Sequence, residues 1–322
     1  DQRGYVLPSG GALDLGAVQT NAVAPPAPLP PAPAPSPAPA PAPTTTPVPI
    51  NAPDTSGQVR ILNPDGSVKA TITAYTGFAG RVVTAGGDMT GDRTADVVTG
   101  AAGHVKVFDG ATGTEARSFF AFDGYRGGVQ VGAGDLTGDG VADLVVSADA
   151  NGHVKVFDGA TGALVHSFFA FDGFAGAVAV AVGDVDGDGR NDLIVGAGTA
   201  AGVHVKSFDG ATLAARDSFL AAGPGGTRFG LAVGDLNGDS KADFVIAQGT
   251  RVQVLDGPTK ANRGSFAAFE DAFQGVMAVQ VDGDDILTAA EINGRAHVKK
   301  FDGQTFGLLD SFFPNERTAG AV

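Results

Sequence analysis

Thirteen aspartates fall in four nine-residue segments that recur about every 49 residues: DMTGDRTAD (88–96), DLTGDGVAD (135–143), DVDGDGRND (184–192) and DLNGDSKAD (235–243). Each carries an oxygen side chain at positions 1, 3, 5 and 9 and a glycine at position 4. Oxygens spaced this way along a turning chain can converge on one hard cation. Calcium suits them best, because it accepts six to eight oxygens at about 2.3–2.6 Å in a tolerant geometry. The first loop offers the side chains of Asp88, Thr90, Asp92 and Asp96 and the carbonyl of Thr94. The second offers Asp135, Thr137, Asp139 and Asp143 with the carbonyl of Val141. The third offers Asp184, Asp186, Asp188 and Asp192 with that of Arg190, and the fourth Asp235, Asn237, Asp239 and Asp243 with that of Lys241.

Magnesium fits less well, since it keeps its waters and takes fewer protein ligands. Zinc and copper are disfavoured by the absence of Cys and of any His inside the loops. A single such segment would read as an acidic surface turn; four in register point to about four Ca²⁺ sites. Thr90 and Thr137 stand where a carboxylate or amide would bind better, so the first two sites should be weaker. The third loop, with four carboxylates, should bind tightest.

The flanks decide what holds the loops. VQVGAGD or VAVAVGD precedes them and DLVVSA or DLIVGA follows. These short, β-branched, Gly-bounded runs read as strands, which excludes an EF-hand with its two helices and Glu at position 12. Each loop is thus expected to clip a β-hairpin. Two further strands follow in each unit. HVKVFDG (104–110, 153–159), HVKSFDG (204–210), HVKKFDG (297–303) and the variant RVQVLDG (251–257) alternate with period 2 into an Asp-Gly turn. SFFAFDG (118–124, 167–173) and its later copies come next. Four strands, a to d, in 40–50 residues describe a β-propeller blade.

At these residues the chain resembles the FG-GAP/VCBS repeats of integrin-α-like propellers, over about residues 57–322. The resemblance implies a calcium-stabilised propeller. It does not imply a ligand, since that family spans adhesion receptors, lectin-like proteins and non-catalytic modules attached to enzymes.

Complete a–b–c–d sets span about 78–122, 126–171, 175–220, 228–269 and 273–313. The fifth, with VDGDDILTAAE, keeps Asp282, Asp284 and Asp285 but is too short to wrap an ion. VRIL (59–62) and VKATITA (68–74) supply only strands c and d of a further unit, and TAGAV (318–322) copies the start of a strand a. The expected fold is therefore all-β: a propeller of six four-stranded blades with an extended Pro-rich N-terminal arm. Strand b of the sixth blade is missing, and ALDLGAV (12–18) is a candidate for it.

The expected division is an arm with the donor strand (1–22), a Pro/Ala-rich polyproline II linker (23–56) and the propeller (57–322). Such a linker extends on the order of 75 Å over about 25 residues. That length suits reaching a neighbouring copy better than returning to its own gap. Donor-strand complementation between copies, repeated head to tail, gives a filament. The alternative is a monomeric adhesin or lectin-like module tethered by the arm. Thr44, Thr45 and Thr46 among prolines suit either O-glycosylation or a plain linker.

Composition favours an extracellular, secreted or cell-surface protein. The net charge of −14 and the absence of a basic stripe argue against nucleic acid. No run of 18 apolar residues spans a membrane. With no Cys there is no disulfide framework, and calcium is expected to stabilise instead. The chain opens on Asp1, as after removal of a signal peptide or equally in a fragment. His104, His153, His204 and His297 repeat unit by unit, which suits structure rather than catalysis. The pairs Phe119/Phe120, Phe168/Phe169 and Phe312/Phe313 read as packing between blades. No catalytic order of residues stands out, so no enzyme is expected. The expected partners are copies of the chain itself, with glycans or surface proteins in the alternative.

Overall fold

The inner strands are built from small residues because they crowd around one axis. A computed structural model describes residues 49–50, 57–62, 67–223, 225–226, 228–270, 277–292 and 295–314, all within the unit Pro39–Val322. No helix occurs among them.

Five antiparallel four-stranded sheets follow one another along the chain. The first holds β4 (Val83–Gly87), β5 (Asp96–Ala101), β6 (His104–Phe108) and β7 (Glu115–Phe120). The second holds β8 (Val129–Gly134), β9 (Asp143–Ala148), β10 (His153–Phe157) and β11 (Leu164–Phe169). The third holds β12 (Val178–Gly183), β13 (Asp192–Thr199), β14 (Gly202–Phe208) and β15 (Ala215–Ala222). The fourth holds β16 (Gly230–Gly234), β17 (Asp243–Gln248), β18 (Arg251–Leu255) and β19 (Asn262–Ala267). The fifth holds β20 (Ala278–Asp282), β21 (Asp285–Ile292), β22 (Arg295–Asp302) and β23 (Leu308–Phe312).

Consecutive inner strands β4, β8, β12, β16 and β20 are neighbours and surround a central cavity of about 530 Å³. A Cβ on Gly87 would come within 2.9 Å of Ala142 Cβ and 3.1 Å of Ala133 Cβ in the next blade, so a side chain there would push adjacent blades apart. The second strands carry the core. Every residue of β5, β9 and β17 is buried, because neighbouring sheets cover both faces. This is why these strands read as continuous apolar runs rather than alternating ones. Each fully buried Val, Leu, Ile or Phe contributes about 1.5–3 kcal/mol. The outermost strands β7 and β11 are mostly exposed. Each third-to-fourth strand pairing shifts register once, between Val107 and Phe108 in the first blade and at the matching place in the others.

The expectation of six four-stranded blades is corrected: five blades have four strands, and the remaining sheet has three. That sheet holds β1 (Pro49–Ile50), β2 (Gln58–Leu62) and β3 (Val68–Thr73). Five complete four-stranded sets occur among the described residues. Among the described residues, two stand beside β2 where the second strands of the other blades place six to eight. Pro49 pairs with Ile61 and Ile50 with Arg60. Pro49 has no N–H to donate, so Ile50 is the residue of β1 that can exchange both bonds with β2. The suggested strands at 12–18 and 318–322, and the linker apart from Pro49 and Ile50, lie outside the described residues.

Candidate metal centres

Each acidic loop joins the first and second strands of its blade, as the strand-flanked spacing predicts. The backbone of the loop is set by its own aspartates. At position 1, Asp88 accepts Gly91 N–H (2.7 Å) on one oxygen and Arg93 N–H (2.7 Å) on the other. Asp135, Asp184 and Asp235 do the same with the residues three and five further on. At position 5, Asp92, Asp139, Asp188 and Asp239 each accept the N–H two residues later.

The position-4 glycines Gly91, Gly138, Gly187 and Gly238 have φ between 75° and 81°, the left-handed region where only glycine is unstrained. Position 6 is left-handed too: Arg93 at 69°, Gly140 at 88°, Gly189 at 83° and Ser240 at 65°. The first and fourth loops hold a side chain in that conformation.

The position-9 aspartates play a part that their spacing did not disclose. Asp96, Asp143, Asp192 and Asp243 are buried, at 1%, 0%, 1% and 0% exposure. Each accepts the N–H of position 2 of its own loop (Met89 2.8 Å, Leu136 2.8 Å, Val185 3.2 Å, Leu236 3.3 Å). Asp96, Asp143 and Asp243 also accept a glycine N–H from the turn between the third and fourth strands (Gly110 2.9 Å, Gly159 2.9 Å, Gly257 3.1 Å). One carboxylate thus ties the acidic loop to the neighbouring turn of the same blade.

Neighbouring loops are also joined. Ala142 N–H donates to the Asp88 carbonyl (2.7 Å) and Ala242 N–H to the Asp184 carbonyl (2.6 Å). The position-7 side chains of Val141, Arg190 and Lys241 lie beside Gly91, Gly138 and Gly187 of the preceding loop. Thr94, at position 7 of the first loop, donates its N–H to Asp92.

The third loop brings Asp184, Asp186 and Asp188 together, with one oxygen of each inside 4.8 Å of the others. Oxygens around one calcium at about 2.3–2.6 Å lie up to about 5 Å apart, so these three fit one ion. Asp192 is not part of that cluster; it sits beneath it in the core. Thr137 offers the second loop its backbone, donating N–H to Asp143 (2.8 Å). In the fourth loop, Asn237 Nδ2 donates to Asp239 (3.3 Å).

Basic groups stand among these acids. Arg216 on β15 contacts Asp186 and Asp209 and lies 3.2 Å from Asp188 and 3.4 Å from Asp192. Arg263 on β19 lies 2.5 Å from Asp243. In the fifth blade the loop is cut to Gly283 and Asp284, and Lys300 lies 2.8 Å from Asp285 and 3.5 Å from Asp282.

Burial raises the carboxyl pKa of Asp96, Asp143 and Asp243 above the usual range. Burial, reinforced by the charges of Asp188, Asp184 and Asp209, pushes Asp192 up to about 7 even with Arg216 alongside. A pKa raised in the folded state means that folding takes up a proton. The stability this contributes is present below about pH 4 and is lost as pH rises through about 7. The ion-free chain should therefore be more stable at pH 5.5 than at pH 8. Ionising Asp192 adds a negative charge beneath the cluster, so calcium affinity for the third loop should be lower at pH 6 than at pH 8, by less than about tenfold per pH unit. Calcium titrations at pH 6 and pH 8 check both the direction and the size.

The repeated histidines each pair with a serine of the adjacent fourth strand. His104, His153, His204 and His297 pair with Ser118, Ser167, Ser218 and Ser311 at 2.8–2.9 Å. Burial holds all four below the usual imidazole range, so they are neutral at pH 7. The phenylalanine pairs divide their roles. Phe119 packs on Phe157 and Phe168 on Phe208 across blade boundaries. Phe120 and Phe169 stay 44% and 55% exposed and stack on the histidine of their own blade.

A family model described as FG-GAP-like repeat matches residues 88–146 and 135–195, a stretch holding the first three acidic loops. No curated protein matches the chain. Among solved structures, the chain is similar to Sqt1 of Saccharomyces cerevisiae, with 12% identity, a TM-score of 0.50, and coverage of 80% of this chain and 68% of that one. The WD40 repeats of RRP9 align with 14% identity and a TM-score of 0.49, covering 80% of this chain and 74% of that one. The Dos1 propeller aligns with 13% identity and a TM-score of 0.46, covering 79% and 64%. At such identities the likeness to Sqt1 concerns the propeller fold alone.

Proposed function

We propose that this chain is an extracellular, non-catalytic structural subunit that calcium stabilises and that joins further copies head to tail through its N-terminal arm. The observation that carries the calcium reading is the convergence of Asp184, Asp186 and Asp188 on a loop backbone that the other three loops share. Four Ca²⁺ would bring the net charge from −14 to about −6. Millimolar calcium outside cells would fill even weak sites.

The assembly reading is supported by the three-stranded sheet, in which β1 is only two residues long and no inner strand is found among the described residues. Such a sheet can accept a strand from elsewhere. A second reading is favoured by Pro49 and Ile50 themselves. They belong to this chain and already lie beside β2, which suits a monomeric binding module tethered by its arm.

Negative-stain microscopy of the full chain and of a form lacking residues 1–22, both in millimolar calcium, separates the two readings. Filaments with a regular repeat that vanish on truncation support assembly. Single discs in both samples would overturn assembly and leave the tethered module, with a glycan-binding screen as its test.

A further inference from the structure

In the third and fourth blades the fourth strand carries, two residues before the repeated serine, a side chain that reaches the acidic loop. Ala116 and Val165 occupy that position in the first two blades, Arg216 and Arg263 in the next two, and Leu309 in the fifth. The arginines accompany the loops with the better third ligand, Asp186 and Asn237. The apolar residues accompany Thr90 and Thr137.

In the third blade the guanidinium touches the ion-binding carboxylates directly: it contacts Asp186, lies 3.2 Å from Asp188, and reaches Asp192 and Asp209. A guanidinium needs N···O distances of about 2.7–2.9 Å to a carboxylate, whereas an ion would take the same oxygens at about 2.3–2.6 Å. Both cations cannot hold Asp186 and Asp188 together without mutual repulsion.

We propose that Arg216 is a tethered cation that competes with the metal for the third loop, so that the loop richest in carboxylates is not the tightest site. The inference rests on the calcium reading given above.

The fifth blade shows the same exchange carried to completion. Its register aligns Asp285 with Asp192, since Gly183 pairs with Asp192 and Asp282 with Asp285. Lys300 occupies the strand position held elsewhere by the buried Val107, Val156, Ser207 and Val254. Its ammonium lies 2.8 Å from Asp285 and 3.5 Å from Asp282. A lysine thus stands beside the carboxylates in the blade whose loop is too short for an ion. In the third blade the loop is intact, and Arg216 can be displaced. In the ion-free state it neutralises part of a charge cluster that would otherwise repel itself.

The test is a calorimetric Ca²⁺ titration of the full chain at pH 7.5 and low salt, with Arg216→Leu, Arg216→Gln, Asp188→Asn and the double variant Arg216→Leu/Asp188→Asn. Leucine is what the fifth blade carries at this position, and glutamine keeps length and polarity, so one variant is independent of the other's packing. Both single Arg216 variants should tighten one site by roughly tenfold, the scale of a partly exposed charge network. That gain should vanish in the Asp188→Asn background. Unchanged or weaker binding in both Arg216 variants would overturn the proposal, as would a gain that persists with Asp188→Asn. No Ca²⁺ binding by the wild type would overturn the calcium reading, and this proposal with it.

Discussion

Stripping calcium from the full chain at pH 7.5 is expected to lower its thermal unfolding midpoint by about 20 °C or more. An ion that binds only the folded state stabilises it by about 2.7 kcal/mol when present at about 100 times its dissociation constant. Sites of about 10 µM in about 1 mM calcium meet that condition. Four of them contribute roughly 10 kcal/mol, and a domain of this size shifts by about 2–4 °C per kcal/mol. The sign has a local cause. Without the ion, Asp184, Asp186 and Asp188 face one another within 4.8 Å, and Arg216 offsets part of that charge. The midpoint should recover on adding calcium and respond far less to magnesium. A midpoint indifferent to chelator would mean that the loops hold their shape through hydrogen bonds alone.

Replacing Asp143 by alanine is expected to destabilise the chain by about 3 kcal/mol or more even in chelator. Its carboxylate accepts three backbone donors, Leu136 N–H and Thr137 N–H at 2.8 Å and Gly159 N–H at 2.9 Å. Asp143 has no solvent exposure, and water cannot replace it without disturbing the core around Leu136 and Ala142. Each buried amide left without a partner costs about 1–3 kcal/mol. Asp143→Asn should lose less, because the amide oxygen can still accept. Asp139→Ala gives the contrast. That side chain is exposed and accepts only Val141 N–H, so its loss should remove calcium-dependent stabilisation while leaving the ion-free form within about 0.5 kcal/mol. Denaturant unfolding of the three variants with and without calcium resolves the two roles. Equal losses for Asp143→Ala and Asp139→Ala in chelator would contradict the division.

The strands were legible because each repeat states its own periodicity. HVKVF alternates, and β6 and β10 show the alternation as burial. DLVVSA does not alternate, and β9 is buried on both faces. The expectation of a sixth four-stranded blade rests on a sixth third-and-fourth strand pair and on TAGAV as a first strand, whereas the described residues give that sheet three strands. A count of repeats says how many units begin, not how many strands complete the last one. In that sheet Pro49, with no N–H, stands at the end of a two-residue ladder.

At the loops, the aspartate spacing marked which residues cluster but not how they share the work. Positions 1, 5 and 9 look alike in sequence. Only the fold shows that Asp96, Asp143, Asp192 and Asp243 sit in the core as anchors while Asp184, Asp186 and Asp188 converge outside it. Arg216 lies 24 residues beyond Asp192 along the chain, and no local pattern connects them. Lys300 did leave a signal: HVKKF departs from HVKVF at a position that should be buried, in the one blade whose loop is shortened.

Equilibrium dialysis of the full chain against 1 mM calcium, followed by elemental analysis of bound metal per chain, tests the central claim most directly. About four Ca²⁺ per chain, falling by one in Asp184→Asn, is the result this account predicts. A chain that binds none, or whose bound calcium is unchanged by Asp184→Asn, would contradict it.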